Sequence, residues 1–227
     1  MNRYSRLQPF PSPFAMSDLP TRESATLLQP TSRRGVLGTL GLATAALAVS
    51  TSPASAFILT RKKSAEAPAG VDLNSFPAEW RQLQGALLPD YSRYLAALKL
   101  KKITSQQVLD AHAKERSGVW NNLPPKQWWN RMGYTLRVVD RIALELNSPV
   151  AEILSAYRSP AYNARCAGAR TGSWHQANVA VDVKFPIRAS VVTATTRNLR
   201  DRGLFKGGVG SYWNFTHIDT RGQNINW

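Results

Sequence analysis

The chain has 227 residues and carries 29 Lys and Arg against 14 Asp and Glu, a formal charge of +15 near neutral pH. Its single cysteine, Cys166, excludes an internal disulfide framework and a cysteine-rich metal finger, so stability has to come from an ordinary apolar core. The basic balance favours anionic surroundings, but no aromatic-flanked RNA motif accompanies it, and nucleic acid is not the expected partner.

Residues 1–56 do not read as folded protein. No acidic residue occurs between Glu23 and Glu66, and within that gap stand "TSRRGVL", a mildly apolar run from Val36 to Val49, and "SPASA" ending at Ala56. A charged start, an apolar stretch too short to span a bilayer and an A-x-A site make an export signal. The Arg33-Arg34 pair is the twin-arginine mark. Cleavage is expected after Ala56, leaving a basic chain that begins at Phe57, has no membrane anchor and lies in the periplasm or outside the cell. Residues 57–75 lack sustained periodicity and read as a linker.

The remainder, 76–227, is expected to be one domain, helical over 76–150 and mixed over 151–227. Trp80, Leu83, Leu87, Leu88, Tyr91 and Leu95 recur at helical spacing, with Pro89 as an expected interruption. Thr104 or Ser105 can cap a helix over "SQQVLDAHAKERSGV", in which Val108 and His112 share a face, so His112 is expected against the core or towards solvent rather than as a ligand. A third helix carries the apolar stripe Trp128, Met132, Leu136, Val139, Ile142 and Leu146, ended by "NSP". Beyond it, "VAVDVKF" reads as a buried strand, "ASVVTATTRNLRDRG" as a helix stopped by Gly203 and "FTHIDT" as a last strand. "KGGVGSYW", from Lys206 to Trp213, reads as a flexible connection. The plan is α+β: helices packed around a small antiparallel sheet.

The chemistry gathers in the second half. His175 and Asp182 stand seven residues apart, a turning loop followed by a strand, and Asn178 in between tolerates the left-handed backbone that would let them converge. With His217 they supply the ligand types and number of a metal site that keeps one position open. His217 and Asp219, two apart in a strand, share a face. Asp219 can orient His217, bind metal itself or accept a proton. Spacing by itself leaves a second reading open, in which His175 and His217 are buried neutral core residues. Cys166 has no histidine near it in sequence to activate a thiolate and reads as a loop residue.

The stretches "YRSPAYN", "SWHQANVAVD" and "GGVGSYWNFTHIDTRG", with Trp227 beyond them, resemble the zinc D-alanyl-D-alanine carboxypeptidase family, and in particular its murein endopeptidase K-like branch. The resemblance is close over Ala156 to Trp227 and loose before that. It implies a zinc hydrolase of peptidoglycan peptides, acting as endopeptidase or carboxypeptidase and as a monomer, with the hedgehog-like fold in which a small sheet carries the metal. It further implies His175, Asp182 and His217 as zinc ligands, Ser173 as a substrate contact and Arg158 as the arginine that steadies an oxyanion or a substrate carboxylate. Two positions depart from the family pattern, Asn178 in place of glycine and the bulky Trp174. The places two and three before the last ligand, where several relatives carry a base, hold Phe215 and Asn214, so Asp219 stands as the candidate base or as a partner of His217. A non-catalytic wall-binding protein of the same fold is the alternative.

Overall fold

The computed structural model describes residues 70–227; the expected signal segment, 1–56, and most of the expected linker lie outside the described residues. The end of that linker is already part of the fold. Leu73–Ser75 form a 3-10 turn capped by the Asp72 side chain, and Val71 and Leu73 pack against the core.

Helices α1 (Ala78–Gln84) and α2 (Leu87–Ala97) take up the first periodic run. The break falls at Gly85, which ends α1 with φ 52°, and not at Pro89. Pro89 lies in the first turn of α2, where a backbone N–H has no intrahelical acceptor to lose. Helix α3 (Ser105–His112) opens on a complete capping box, Thr104 and Gln107 each bonding the other's backbone N–H. It stops at His112 rather than running on to Val119. Ser117 and Gly118 both have positive φ and close a tight hairpin between β1 (Glu115–Arg116) and β2 (Val119–Trp120), the backbone demanded by a two-residue turn. Helix α4 (Trp129–Glu145) is the longest of the described helices, and its buried face includes Met132, Leu136, Val139, Ile142 and Ala143.

The second half contributes β3 (Glu152–Ser155), the short α5 (Pro160–Asn163), β4 (Ala180–Lys184), α6 (Ala189–Asp201), β5 (Gly208–Ser211), β6 (Thr216–Asp219) and β7 (Ile225–Asn226). Five of the strands form one sheet in the order β3-β4-β6-β5-β7, antiparallel except for the parallel β5–β7 pair. The segment 206–213, expected as a flexible connection, therefore contains a paired strand. Its glycines answer to crowding rather than to flexibility: a Cβ on Gly207 would lie 1.7 Å from the Asp219 carbonyl oxygen.

Period-two alternation divides the sheet into two faces. Val181 and Val183 on β4, Ile218 on β6 and Val209 on β5 join the apolar core with residues of α4 and α6. Asp182, His217, Asp219, Gly208 and Gly210 alternate with these and so take the opposite face. Asp182 pairs directly with His217 in the β4–β6 register, and His217 with Gly210 across β5 and β6.

Buried Asn121 ties the helical half to the sheet. Its amide donates to the Tyr157 carbonyl at 2.8 Å, its side-chain oxygen accepts from the Ser159 amide at 2.9 Å, and its carbonyl accepts from the Trp80 indole at 2.7 Å.

His112 occupies the core and not the site. It is fully buried, its Nδ1–H donates to the Val108 carbonyl at 2.6 Å, and its ring lies edge-on to Tyr91. Burial pushes its pKa down to about 4. The unfolded chain takes up that proton with the ordinary histidine pKa of about 6.5, so His112 leaves stability untouched well above that pH and lowers it as pH falls towards about 4, by up to about 3 kcal/mol. Urea titrations at stepped pH are expected to show this decline in the wild type and a clearly shallower one in His112→Gln.

Candidate metal centre

His175, Asp182 and His217, separated by up to 42 positions, come together on the sheet face away from the core, all three buried, with one ligand atom from each lying within 4.8 Å of the others. The loop that carries His175 is bent as its sequence requires. Asn178 takes φ 61°, its amide donates to the His175 carbonyl at 3.2 Å, and its side chain donates to the Trp128 carbonyl at 2.9 Å. Two residues later β4 begins and delivers Asp182.

Each histidine is oriented by an acceptor on the side away from the triad. Nδ1–H of His175 donates to the Ala156 carbonyl at 2.7 Å, which leaves Nε2 facing Asp182 Oδ2 at 3.3 Å. His217 is turned the other way: Nε2–H donates to Asp219 Oδ2 at 3.1 Å, and Nδ1 meets Asp182 Oδ1 at 2.8 Å. Two ring nitrogens and a carboxylate thus face one another, with both tautomers set from behind, which is the donor chemistry of an open three-ligand site. The residues fit a divalent metal such as zinc.

Electrostatics match this arrangement. Burial lowers the pKa of His175. For His217 burial acts downwards, but hydrogen bonds to Asp182 and Asp219 outweigh it and raise the pKa. Burial would raise Asp182; the charges and hydrogen bonds of His175 and His217 prevail and hold it well below the usual carboxylate range. In Asp219 burial is likewise overcome, here by hydrogen bonds from Arg221, then His217 and the Gly208 amide, so that carboxyl too stays ionised.

Of the three roles open to Asp219 from sequence, its surroundings support the orienting one. The residue has no exposed surface. Oδ1 accepts from the Gly208 amide at 3.0 Å, the Arg221 amide at 3.2 Å and Arg221 Nε at 2.7 Å, while Oδ2 accepts from His217 and from the Arg221 Nη2. Every lone-pair direction is engaged and the carboxylate is stabilised as the anion, which makes it a weak proton acceptor. Arg221 is itself sandwiched, 4.8 Å from the Trp174 ring and 5.2 Å from the Trp227 ring. Arg221 was not singled out in the sequence, although His217, Asp219 and Arg221 fall at i, i+2 and i+4, the spacing that keeps three side chains on one face of a strand.

Arg158 lies beside the triad. Its Nε donates to Ser155 Oγ at 2.8 Å and its Nη2 to Asp182 Oδ2 at 3.0 Å. Ser173, two residues before His175, is half-buried, and its backbone closes the turn by accepting from the Gln176 amide at 2.9 Å. Cys166 is a free, partly buried thiol whose Sγ donates weakly to the Tyr162 carbonyl.

No curated protein and no solved structure matches the chain. The family model described as Peptidase M15 matches residues 101–219, from just before α3 to the end of β6, a little over half of the chain. That span takes in all three residues of the triad, Arg158 and Asp219. On this match, with a His-Asp-His cluster at its centre, the chain belongs to the peptidase M15 family.

Proposed function

We propose that the protein is an exported zinc-dependent peptidase that hydrolyses peptide bonds of peptidoglycan, of the murein endopeptidase K-like type. The observation that carries the reading is the convergence of His175, Asp182 and His217, with both rings oriented from behind, inside the segment matched by the M15 family. The export signal expected over 1–56 favours an extracytoplasmic substrate, and the basic charge suits an anionic cell wall.

His175 Nε2, Asp182 and His217 Nδ1 would hold the zinc. When bound there, zinc supplies Lewis acidity to a scissile carbonyl and acidifies water near it. The chain's own groups do the rest. Ala156 and Asp219 fix the two rings, so that His175 Nε2 and His217 Nδ1 face the position a metal would take. Arg158 has two of its nitrogens committed to Ser155 and Asp182, and its remaining N–H donors are available to a developing oxyanion or a substrate carboxylate. Ser173, two residues before His175, would contact the substrate. Asp219 acts through His217 and does not receive the proton of the attacking water.

Two outcomes test this reading. Purified cross-linked muropeptides incubated with the chain and resolved by mass spectrometry are expected to lose dimers in the presence of zinc, and to remain intact with a chelator or with His217→Ala. Loss of a terminal alanine alone would make the enzyme a carboxypeptidase, and intact muropeptides with folded, zinc-loaded protein would move the reading to a non-catalytic wall-binding protein. Separately, Asp219→Asn and Arg221→Gln are each expected to weaken zinc binding about 10- to 100-fold. Chelator competition measures this directly, and unchanged affinity would remove the orienting role assigned to Asp219.

A further inference from the structure

A row of aromatic side chains leads away from the metal centre along one lip. It starts at Trp227, whose ring lies 5.1 Å from that of His217. The Trp227 indole N–H donates to the Tyr212 hydroxyl at 3.1 Å, and Tyr212 stacks on Phe215 at 4.3 Å with the rings nearly parallel. Trp213 occupies the turn between β5 and β6 and is 96% exposed, while Tyr212 and Trp227 keep 43% and 44% of their surface in water.

This lip is built rather than accidental. Gly208 and Gly210 present no side chain where a Cβ would lie 2.9 Å and 2.6 Å from the Trp227 ring, so the strand leaves a seat for it. The Trp227 backbone is held from two sides, its carbonyl accepting from the Ser211 amide at 2.8 Å and from Arg197 at 3.2 Å. The Trp227 ring, fixed in this way, loses little conformational freedom on binding. Contiguous exposed aromatic surface of this kind marks a binding site.

Charge narrows what binds. The stretch 207–220 contains no Lys or Arg in a chain that carries 29 of them. The two arginines nearest Trp227 are engaged within the fold, Arg197 with the carbonyls of Trp227 and Val209 and Arg221 with Asp219. A polyanion or an anionic lipid surface would find its partners elsewhere on the molecule. Flat rings with polar edges and no charge suit a pyranose, whose C–H face is apolar and whose hydroxyl and acetamido edges form hydrogen bonds.

We propose that Trp227, Tyr212 and Trp213 form a subsite for uncharged amino-sugar rings of a glycan strand, beside the centre that cleaves the attached peptide. The proposal rests on the peptidoglycan peptidase reading for its identification of the glycan, and its test is kept separate from turnover. The full chain is titrated with a β-1,4-linked N-acetylglucosamine tetramer while tryptophan fluorescence is followed, in parallel with Trp213→Ala, Tyr212→Ala and anionic phospholipid vesicles. Saturable tetramer binding that weakens about tenfold in either variant is the expected result. Trp213→Ala is also expected to cleave glycan-free cross-linked peptide dimers at the wild-type rate and intact glycan-linked polymer several-fold more slowly. Absence of tetramer binding, equal binding by both variants, or vesicle binding in place of tetramer binding would overturn the proposal. A chain that cleaves peptide dimers but ignores the tetramer refutes the glycan subsite alone, whereas one that binds the tetramer at these aromatics and cleaves nothing refutes the peptidase reading alone.

Discussion

The pairing of Asp182 with His217 across β4 and β6 is the constraint on which the site depends. Neighbouring strands bring directly opposed side chains within contact distance, and alternation decides which face they share. A slip of one residue in this pairing would bring Val181 or Val183 opposite His217 and turn ligand side chains into the core. The apolar side chains of β4 and β6 prevent it, since Val181, Val183 and Ile218 are all buried in the core. Hydrophobic burial therefore sets the register, and the register sets the distance between the candidate ligands Asp182 and His217.

Around that pair runs a continuous ionic chain, from Arg158 through Asp182 and the two histidines to Asp219 and Arg221. Taking charges out of water is expensive, and an incomplete network of this kind costs more than an apolar core would. Here the signs alternate, so each anion has a cationic or protonated partner, and the backbone amides of Gly208 and Arg221 complete Asp219. Trp174 and Trp227 close over Arg221 and keep it partly dry. The bulky Trp174, which departs from the family pattern next to the first ligand, has in this way a defined task at the last one.

Local signals carried a large part of this into the sequence. The apolar stripe of α4, the Thr104 cap of α3 and the alternation in "VAVDVKF" each report a structure made of near neighbours, and each element appears. The three ligand candidates were legible as residue types at workable spacing, and Asn178 as the bend between two of them. What escaped had its cause in distant contacts. The glycines of β5 signalled flexibility in isolation, and their actual reason is the approach of the Asp219 carbonyl and of Trp227. Pro89 looked like a break because its place within a helical turn depends on where Gly85 ends the preceding one. The role of Asp219 turned on Arg221, which the periodicity of a strand allows but does not require.

Asn121 extends the metal centre into a part of the chain that supplies no ligand. It grips the carbonyl of Tyr157 and the amide of Ser159, the two neighbours of Arg158, while the indole of Trp80 holds its own backbone. The arginine's main chain is thus clamped by a side chain that β2 delivers and α1 anchors. A fragment cut at residue 151 would keep His175, Asp182 and His217 but lose the clamp, so the N-terminal helices are no detachable accessory. They are the jig in which the second half is aligned, and shortening the protein from that end would loosen both the aim of the Arg158 guanidinium and the packing that sets the β4–β6 register.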